Sequence, residues 1–409
     1  MTLRLTKNNE FLLASIFMLS CISGLLTELM SKVGLSYPTN LAFAIIFSVS
    51  IIAWFKMLFM NFRVVVLVAT IYALILSVSI VMEPRIIQYI FNFNNGSLYD
   101  IAKSEFAYVL FLCLSPFLLG FGRANMDTLF RYLRRYAVVS TILFSALMVV
   151  TIRSAEKYNY MSIAYNALPG ICILFLDAKL YSNKLSGLLC LLGAAFLLVG
   201  GCRGALATIV ALWLVWGLQA LKNMTTRKLV GAIVLSVIVI VVVTNLTYFA
   251  SILDQAFASV GYSSRVIKSL IETSASESFL AIGGRSFLLT KTYNHLNLFG
   301  HGIYSDRVFL QTYPHNMLLE IIYHFGWIFG ILIIASGVCL LIYIYCVASR
   351  KNDKFLMAAW CFLLSIICAK LMVSSTYLSD FTFWFCMGFV NICFRSNNQG
   401  EDKQIYSVL

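Results

Sequence analysis

The stretch WIFGILIIASGVCLLIYIYCV, from Trp327 to Val347, contains no Lys, Arg, Asp, Glu or His. A helix of this length rises about 30 Å, which is the thickness of the hydrocarbon core of a bilayer. The stretch is therefore predicted to be a transmembrane helix. Similar runs recur along the 409 residues, of which 61% are hydrophobic and 11% charged, and this composition excludes an ordinary water-soluble protein.

The hydrophobic runs predict an all-α polytopic membrane protein with about twelve transmembrane helices. The predicted spans are residues 11–29, 39–58, 64–82, 106–122, 136–152, 160–176, 187–201, 205–221, 229–249, 327–347, 355–374 and 377–394. The chain is accordingly divided into nine helices in 1–249, a large outer loop in 250–326, three helices in 327–394 and a tail in 395–409.

The distribution of charge predicts the orientation in the membrane. With an even number of spans both termini lie on the same side, and if that side is the inside, the inner segments contain 18 basic and 6 acidic residues. The outer segments then contain 12 basic and 11 acidic residues. Segments rich in Lys and Arg remain in the cytoplasm, so both termini are predicted to be cytoplasmic. The net charge of +13 follows from this asymmetry and does not indicate a nucleic-acid partner.

The sequence predicts neither a metal site nor a disulfide framework. Ten of the eleven cysteines fall within the predicted spans, where they are expected to pack as small hydrophobic residues. There is no Cys-x-x-Cys pair and no cluster of ligating residues with a recognised metal spacing. The prediction is therefore a protein without a metal ion or other cofactor.

The outer loop 250–326 contains all four histidines of the chain. In its middle, Gly283 and Gly284 precede Arg285 and the segment 286–293, which is predicted to be helical. Free backbone N–H groups at a helix start, together with a guanidinium, can hold a phosphate. The alternative is a solvated arginine next to a common Gly-Gly turn.

A second motif in the loop is the run from Pro314 to Glu320. Proline favours the first turn of a helix, so His315 is predicted to lie in that turn. There the positive end of the helix dipole favours the neutral imidazole, which can accept a proton. The alternative is a capping or structural histidine. Glu320 and His324 lie four residues apart and are candidates for a pair on the same helix face.

Other outer basic residues are candidate ligands for an anionic substrate. Arg203 occupies the turn of a hairpin between two spans and is predicted to bind a lipid head group or pyrophosphate, the alternative being a side chain that snorkels to the interface. Arg153 and Lys157 lie beside several tyrosines, which are read as an interfacial belt first and a sugar surface second. With His301, from a Gly-His-Gly turn, and Glu320, these two residues complete the predicted contacts to pyrophosphate or sugar.

Taken together, these motifs resemble those of the O-antigen polymerase and O-antigen ligase superfamily. The resemblance rests on Arg203-Gly204 at an outer hairpin, Gly284-Arg285, the Gly-His-Gly turn at 300–302, and the His-Asn-x-x-Leu-Glu block that begins at His315. By topology it covers the whole chain, whereas the specific motifs cover about 130 residues, from Arg203 to Gly330.

The resemblance implies a GT-C-like helical fold in the inner membrane of a Gram-negative bacterium, with the active face in the periplasm. It also implies a metal-independent, inverting glycosyl transfer between sugar chains carried on undecaprenyl pyrophosphate. Arg203 and Arg285 match arginines that hold the pyrophosphate, and His315 matches the base that deprotonates the acceptor hydroxyl. The implied partners are the lipid-linked donor and acceptor, membrane lipid and a chain-length regulator, without nucleic acid.

The function predicted is that of an O-antigen polymerase, which joins lipid-linked repeats. Residues 160–166 favour this reading over the ligase, which hands a finished chain to lipid A-core and shares the His-Asn block. A polysaccharide or lipid transporter is the second alternative. Transporters usually contain internal repeats and ionisable groups near the bilayer midplane. The sequence contains no evident repeat, and Lys370 and Asp380 fall near the ends of predicted spans.

Overall fold

The computed structural model describes residues 9–32, 38–91, 105–122, 124–154, 160–200, 202–220 and 285–406, with a few positions between 248 and 259. All regular elements in these residues are helices, as predicted. The helices are α1 (Asn9–Lys32), α2 (Pro38–Met82), α3 (Arg85–Phe91), α4 (Glu105–Tyr108), α5 (Leu114–Leu119), α6 (Met126–Ser154), α7 (Tyr160–Tyr181), α8 (Lys184–Gly200), α9 (Arg203–Ala220), α10 (Arg285–Tyr293), α11 (Ser305–Leu310), α12 (Met317–Arg350), α13 (Lys354–Ser365) and α14 (Phe381–Tyr406).

Six of the helical stretches are long and apolar enough to cross a membrane, and they belong to α1, α2, α6, α7, α12 and α13. Four shorter apolar stretches are Glu105–Leu119, Lys184–Leu198, Gly204–Gln219 and Phe381–Arg395. The predicted ninth span, 229–249, lies outside the described residues apart from position 248. The chain is therefore a helical membrane protein, while the number of twelve spans stays a prediction.

Helix α2 contains a sharp break at Asn61, where φ is −142° and ψ is 55°. The Trp54 indole N–H donates to the carbonyl of Leu110 at 3.0 Å, and the ring of Tyr72 stacks on Phe106 at 6.0 Å. Residues 54 and 72 would lie about 27 Å apart along a straight helix, yet both contact one short segment. The chain therefore folds back at Asn61, between the predicted second and third spans.

The core of the described bundle surrounds α1, which packs against α2, α6 and α7. Phe17 of α1 lies parallel to Phe385 of α14, with ring centroids 3.6 Å apart. Large aromatic contacts of this kind matter because lipid tails are as apolar as leucine, so that helices in a membrane associate mainly by close packing. The middle of α12 leaves Ile331 and Leu332 more than half exposed, as expected for a lipid-facing helix.

Two wide π-helical turns interrupt the bundle, at Val109–Cys113 and Ile366–Leu371. Such turns insert an extra residue into a helix and often occur at functional sites. The first follows α4, which begins at Glu105, and the second includes Lys370. Glu105 and Lys370 both lie on the predicted outer side, and each forms an ion pair with a buried residue, Glu105 with Arg307 and Lys370 with Asp380.

Candidate functional site

The most polar buried site in the described residues surrounds Arg307 of α11. A small apolar cluster holds α11 in place, and its members are Ile86, Ile90, Ile303, Tyr304 and Leu378. The Arg307 side chain is only 4% exposed. Because a buried guanidinium must be paired, the three carboxylates around it are expected partners.

Arg307 binds carboxylates from three separate elements. Its guanidinium donates to Glu105 of α4 from Nη2 at 2.9 Å and from Nε at 3.3 Å, and to Glu320 of α12 from Nη1 at 3.0 Å. The adjacent Asp306 also accepts from Nη1. Thr376, in the connection between α13 and α14, accepts from Nη2 at 2.9 Å. Arg307 therefore ties together segments that are far apart in the sequence.

His324 extends this network to a second layer. One ring nitrogen, Nε2, lies 3.0 Å from Oδ1 of Asp306, and Nδ1 lies 2.8 Å from the hydroxyl of Tyr377. Burial opposes ionisation of the Asp306 carboxyl, but Arg307 and His324 outweigh it and hold its pKa below the ordinary value. The group formed by Glu105, Asp306, Arg307, Glu320 and His324 is called the Arg307 cluster below.

Glu320 was predicted to contact substrate and to form a pair with His324. In the structure it is fully buried, and its Oε1 accepts from Arg307 and from the hydroxyl of Thr376. Glu320 and His324 are linked indirectly, since Arg307 binds both Glu320 and Asp306, and His324 contacts Asp306. With no exposed surface, Glu320 is a structural member of the cluster in this conformation.

The Gly-His-Gly turn at 300–302 packs against a break in α12. At Gly326 φ is +75°, and the turn glycines Gly300 and Gly302 have φ of +82° and +85°. The freed carbonyls of Tyr323 and His324 accept from the backbone N–H groups of 301 and 302 at 3.0 and 2.9 Å. A Cβ at Gly326 would lie 2.3 Å from the carbonyl oxygen of Leu298. Glycine is therefore required here by close backbone approach.

His301, a predicted substrate contact, forms part of this turn. Its ring lies on Tyr323 with centroids 4.6 Å apart, and its Nε2 lies 2.7 Å from the carbonyl of His295. These contacts support the turn, and the side chain keeps partial exposure. His301 thus has a structural role in addition to any contact with a ligand.

The prediction that His315 lies in the first turn of a helix is wrong. Helix α12 begins at Met317, and Asn316 is its N-cap, whose side chain accepts from the N–H of Leu319 at 3.1 Å. His315 precedes the cap with φ of +57°. Asparagine is among the best N-cap residues, so that Asn316 takes the cap and leaves His315 outside the helix.

His315 is half-buried beside a polar seam, which is formed by Tyr313 and Ser374. Its ring packs on Tyr313 with centroids 4.2 Å apart, and the Tyr313 hydroxyl donates to the carbonyl of Ser374 at 3.2 Å. A Cβ at Gly204 would lie 2.6 Å from Oγ of the same Ser374. Ser374 thus contacts both Gly204, at the start of α9, and Tyr313, on which His315 packs.

A buried ion pair lies close to this seam. Lys370 donates to Asp380 at 2.7 Å and to the hydroxyl of Thr382 at 3.2 Å, and both charged side chains are at most 5% exposed. The Lys370 ammonium also lies 5.2 Å from the ring centre of Tyr165. The hydroxyl of Tyr165 would contact a Cβ placed at Gly204. Lys370 is therefore a further cation near the start of α9.

The remaining predicted residues are placed by backbone only or lie outside the described part. Arg203 is the first residue of α9 and Arg285 the first residue of α10, which confirms the predicted helix at 286–293. Arg153 lies in the last turn of α6. The side chains of these three arginines, and the whole of Lys157, lie outside the described residues.

The sequence reasoning missed Arg307, Asp306, Glu105 and Lys370 as members of buried sites. One local signal was available, since Asp306-Arg307 is flanked by Ile303, Tyr304, Val308, Phe309 and Leu310. A charged pair inside an apolar segment of a short helix is expected to be buried with partners. Comparisons with protein-family models, with curated proteins and with solved structures find no match to this chain.

Proposed function

We propose that the protein is a glycosyltransferase that joins oligosaccharide repeats carried on undecaprenyl pyrophosphate at the outer face of the inner membrane, that is, an O-antigen polymerase. The proposal rests on the motif resemblance and on the arrangement around His315. This histidine has left-handed backbone geometry, lies directly before the N-cap of a helix and is half-buried on Tyr313. Such strained positions occur preferentially at functional sites.

In the proposed reaction His315 accepts the proton of an acceptor sugar hydroxyl. The hydroxyl oxygen then forms a bond to the anomeric carbon of the donor, on the face opposite to the pyrophosphate, while the bond from that carbon to the pyrophosphate oxygen breaks. The configuration at the carbon is inverted. Arg203 and Arg285, at the starts of α9 and α10, neutralise the charge that develops on the leaving pyrophosphate. The transfer step itself is proposed to need no metal ion.

The Arg307 cluster supports this role by fixing the segment that carries His315. Arg307 binds Glu320, five residues after His315, and Tyr313 is tied to Ser374. The base therefore projects from a segment anchored on both sides. Fixed placement of a base contributes to catalysis because it removes the cost of orienting the group during the reaction.

The test is a polysaccharide gel of cells that lack the gene and carry wild type, His315→Ala, Arg285→Ala or His295→Ala. His295 is an exposed loop histidine whose Nδ1 contacts the carbonyl of Lys291, so it serves as the matched control. We expect His315→Ala to leave a single repeat on lipid A-core, while His295→Ala gives full-length chains at an equal protein level. Full-length chains from both His315→Ala and Arg285→Ala would refute the proposal.

Two other gel patterns distinguish the alternative functions. Lipid A-core without repeats, alongside long lipid-linked chains, would identify a ligase. Lipid A-core without repeats, alongside single lipid-linked repeats, would identify a transporter. The buried pairs Lys370–Asp380 and Asp306–His324 are the observation that favours transport as the second candidate, because ion-coupled transporters bury such groups.

A further inference from the structure

The Arg307 cluster contains more negative than positive charge. Glu105, Asp306 and Glu320 are three carboxylates, and Arg307 is the one guanidinium among them. With His324 neutral the cluster carries an excess of two negative charges. Asp306 and Glu320 have no exposed surface. The Glu105 side chain is 19% exposed, so the fully buried excess lies on Asp306 and Glu320. Buried charge without compensation is costly, and a bound cation or bound protons would offset it.

Three members of the cluster place their donor atoms around a common point. One atom each from Asp306, Glu320 and His324 lies within 4.8 Å of the others. Nε2 of His324 and Oδ1 of Asp306 are 3.0 Å apart, which is close to the spacing of neighbouring ligands on a cation bound at about 2.1 Å. Ligands around such a cation are about 3.0 to 4.2 Å apart, so a separation of 4.8 Å has to shorten by about 0.6 Å or more when the ion binds.

A second observation points to a ligand at this position. Among the described residues, Oε2 of Glu320 has no hydrogen-bond partner, although the residue is 0% exposed. Arg307 and Thr376 both bind Oε1 and leave the second oxygen free. A cation at this position would use the free lone pairs of Oε2.

The surroundings of His324 also suit a metal ligand. When Nδ1–H donates to the Tyr377 hydroxyl at 2.8 Å, the lone pair of Nε2 faces Asp306. This arrangement, in which one ring nitrogen is held by a hydrogen bond and the other is free to ligate, is usual for metal-binding histidines. Arg307 binds the other oxygens, Oδ2 of Asp306 and Oε1 of Glu320, so that guanidinium and cation use different atoms.

We propose that Asp306, Glu320 and His324 bind one divalent transition-metal cation, such as Zn²⁺ or Mn²⁺. Two carboxylate oxygens and one imidazole nitrogen are donors that these ions accept. The ion balances the charge of the Arg307 cluster and links α11 to α12. It takes no part in the glycosyl transfer, and the proposal goes beyond the proposed function and does not depend on it.

The first experiment uses the full-length protein, purified in detergent without chelators and analysed for metal by mass spectrometry. We expect about one zinc or manganese ion per chain. After removal of the ion with EDTA, we expect a lower midpoint of thermal unfolding, restored by one equivalent of Zn²⁺ or Mn²⁺ and not by Mg²⁺. No bound ion, together with a midpoint unchanged by EDTA, Zn²⁺ and Mn²⁺, would overturn the proposal.

Variants then locate the ion. Tyr377→Phe keeps the ring and removes only the support of His324, and it should weaken metal binding about 10- to 100-fold. Glu320→Gln removes one ligand and should abolish stoichiometric binding. Glu83 is a partly exposed carboxylate paired with Arg85, outside the Arg307 cluster, so Glu83→Gln should keep the ion. Equal metal content in all three variants would show adventitious binding elsewhere and overturn the assignment. Each readout is independent of polymer formation, so this proposal and the proposed function fail separately.

Discussion

Replacement of Arg307 by methionine should destabilise the protein more than any change at an exposed charge. The guanidinium is 4% exposed and contacts three carboxylates. Removing one partner from a buried ion pair costs about 3–5 kcal/mol, because the remaining charge stays buried without a counterion. Methionine preserves most of the side-chain volume. The decrease in the free energy of unfolding therefore measures the loss of the charge and of its hydrogen bonds.

The expected loss converts to a shift in the unfolding midpoint. At about 2.1 cal/mol/K per residue, the entropy of complete unfolding of the chain is about 0.9 kcal/mol/K, and 4 kcal/mol corresponds to about 5 °C. Helices that persist in detergent reduce the entropy that is gained on unfolding. The shift of about 5 °C is therefore a lower bound.

The assay is thermal unfolding in detergent followed with a thiol-reactive dye, since eight of the eleven cysteines are buried. The matched control is Arg85→Met, which removes an exposed guanidinium paired with Glu83 and should leave the midpoint unchanged. Arg307→Lys retains the charge but not the planar fork, so it should fall between wild type and Arg307→Met.

A double variant tests the physical reason. If unpaired carboxylates cause the loss of stability in Arg307→Met, removing the charge of Glu320 should restore part of it. The double variant Arg307→Met/Glu320→Gln should then be destabilised by less than the sum of the two single variants. A midpoint for Arg307→Met within about 1 °C of that for Arg85→Met, at equal purity, would refute the reasoning that Arg307 compensates buried charge.

Three further outcomes are expected. Gly326→Ala places a Cβ 2.3 Å from a carbonyl oxygen, at a residue with left-handed backbone geometry, and should lower the unfolding midpoint. The control Gly217→Ala adds a Cβ with nothing within 4 Å and should leave the midpoint unchanged or raise it. Equal midpoints for the two variants would contradict the close backbone approach at Gly326. Tyr313→Phe loses the hydrogen bond to the Ser374 carbonyl but keeps the ring that packs on His315. The polysaccharide chains seen on the gel should therefore become shorter but not disappear. Complete loss of the chains would show that the hydroxyl is essential to the reaction. Burial raises the pKa of Asp306 and Arg307 lowers it, and the net effect is a pKa below the ordinary 3.8. The ionised carboxylate therefore stabilises the folded protein above about pH 4, and this stabilisation is lost in more acidic solution. The difference in unfolding midpoint between wild type and Asp306→Asn should therefore become smaller from pH 6 to pH 3. A difference that does not change with pH would show that the stabilisation does not come from ionisation of Asp306.

The motifs differ in how well local sequence predicted their structure. The helix at Arg285 was predicted from a Gly-Gly turn before an apolar segment, and the structure contains it. Proline at 314 predicts His315 in the first turn of α12, but the helix begins at Met317 because Asn316 caps it. Asparagine is itself a start signal that the local sequence contains.

By itself, the sequence determined that the chain is a helical membrane protein, and it marked His315, Arg203 and Arg285 as candidate residues. It did so because a bilayer demands about twenty apolar residues per helix, which is a local property of the chain. Only the tertiary structure decided that Arg307 is paired with Glu105, 202 residues earlier, and with Glu320 and Thr376. Whether a charge is solvated or buried depends on the groups that the fold brings within a few ångströms, and hydrophobic periodicity contains no information about which distant segments will meet.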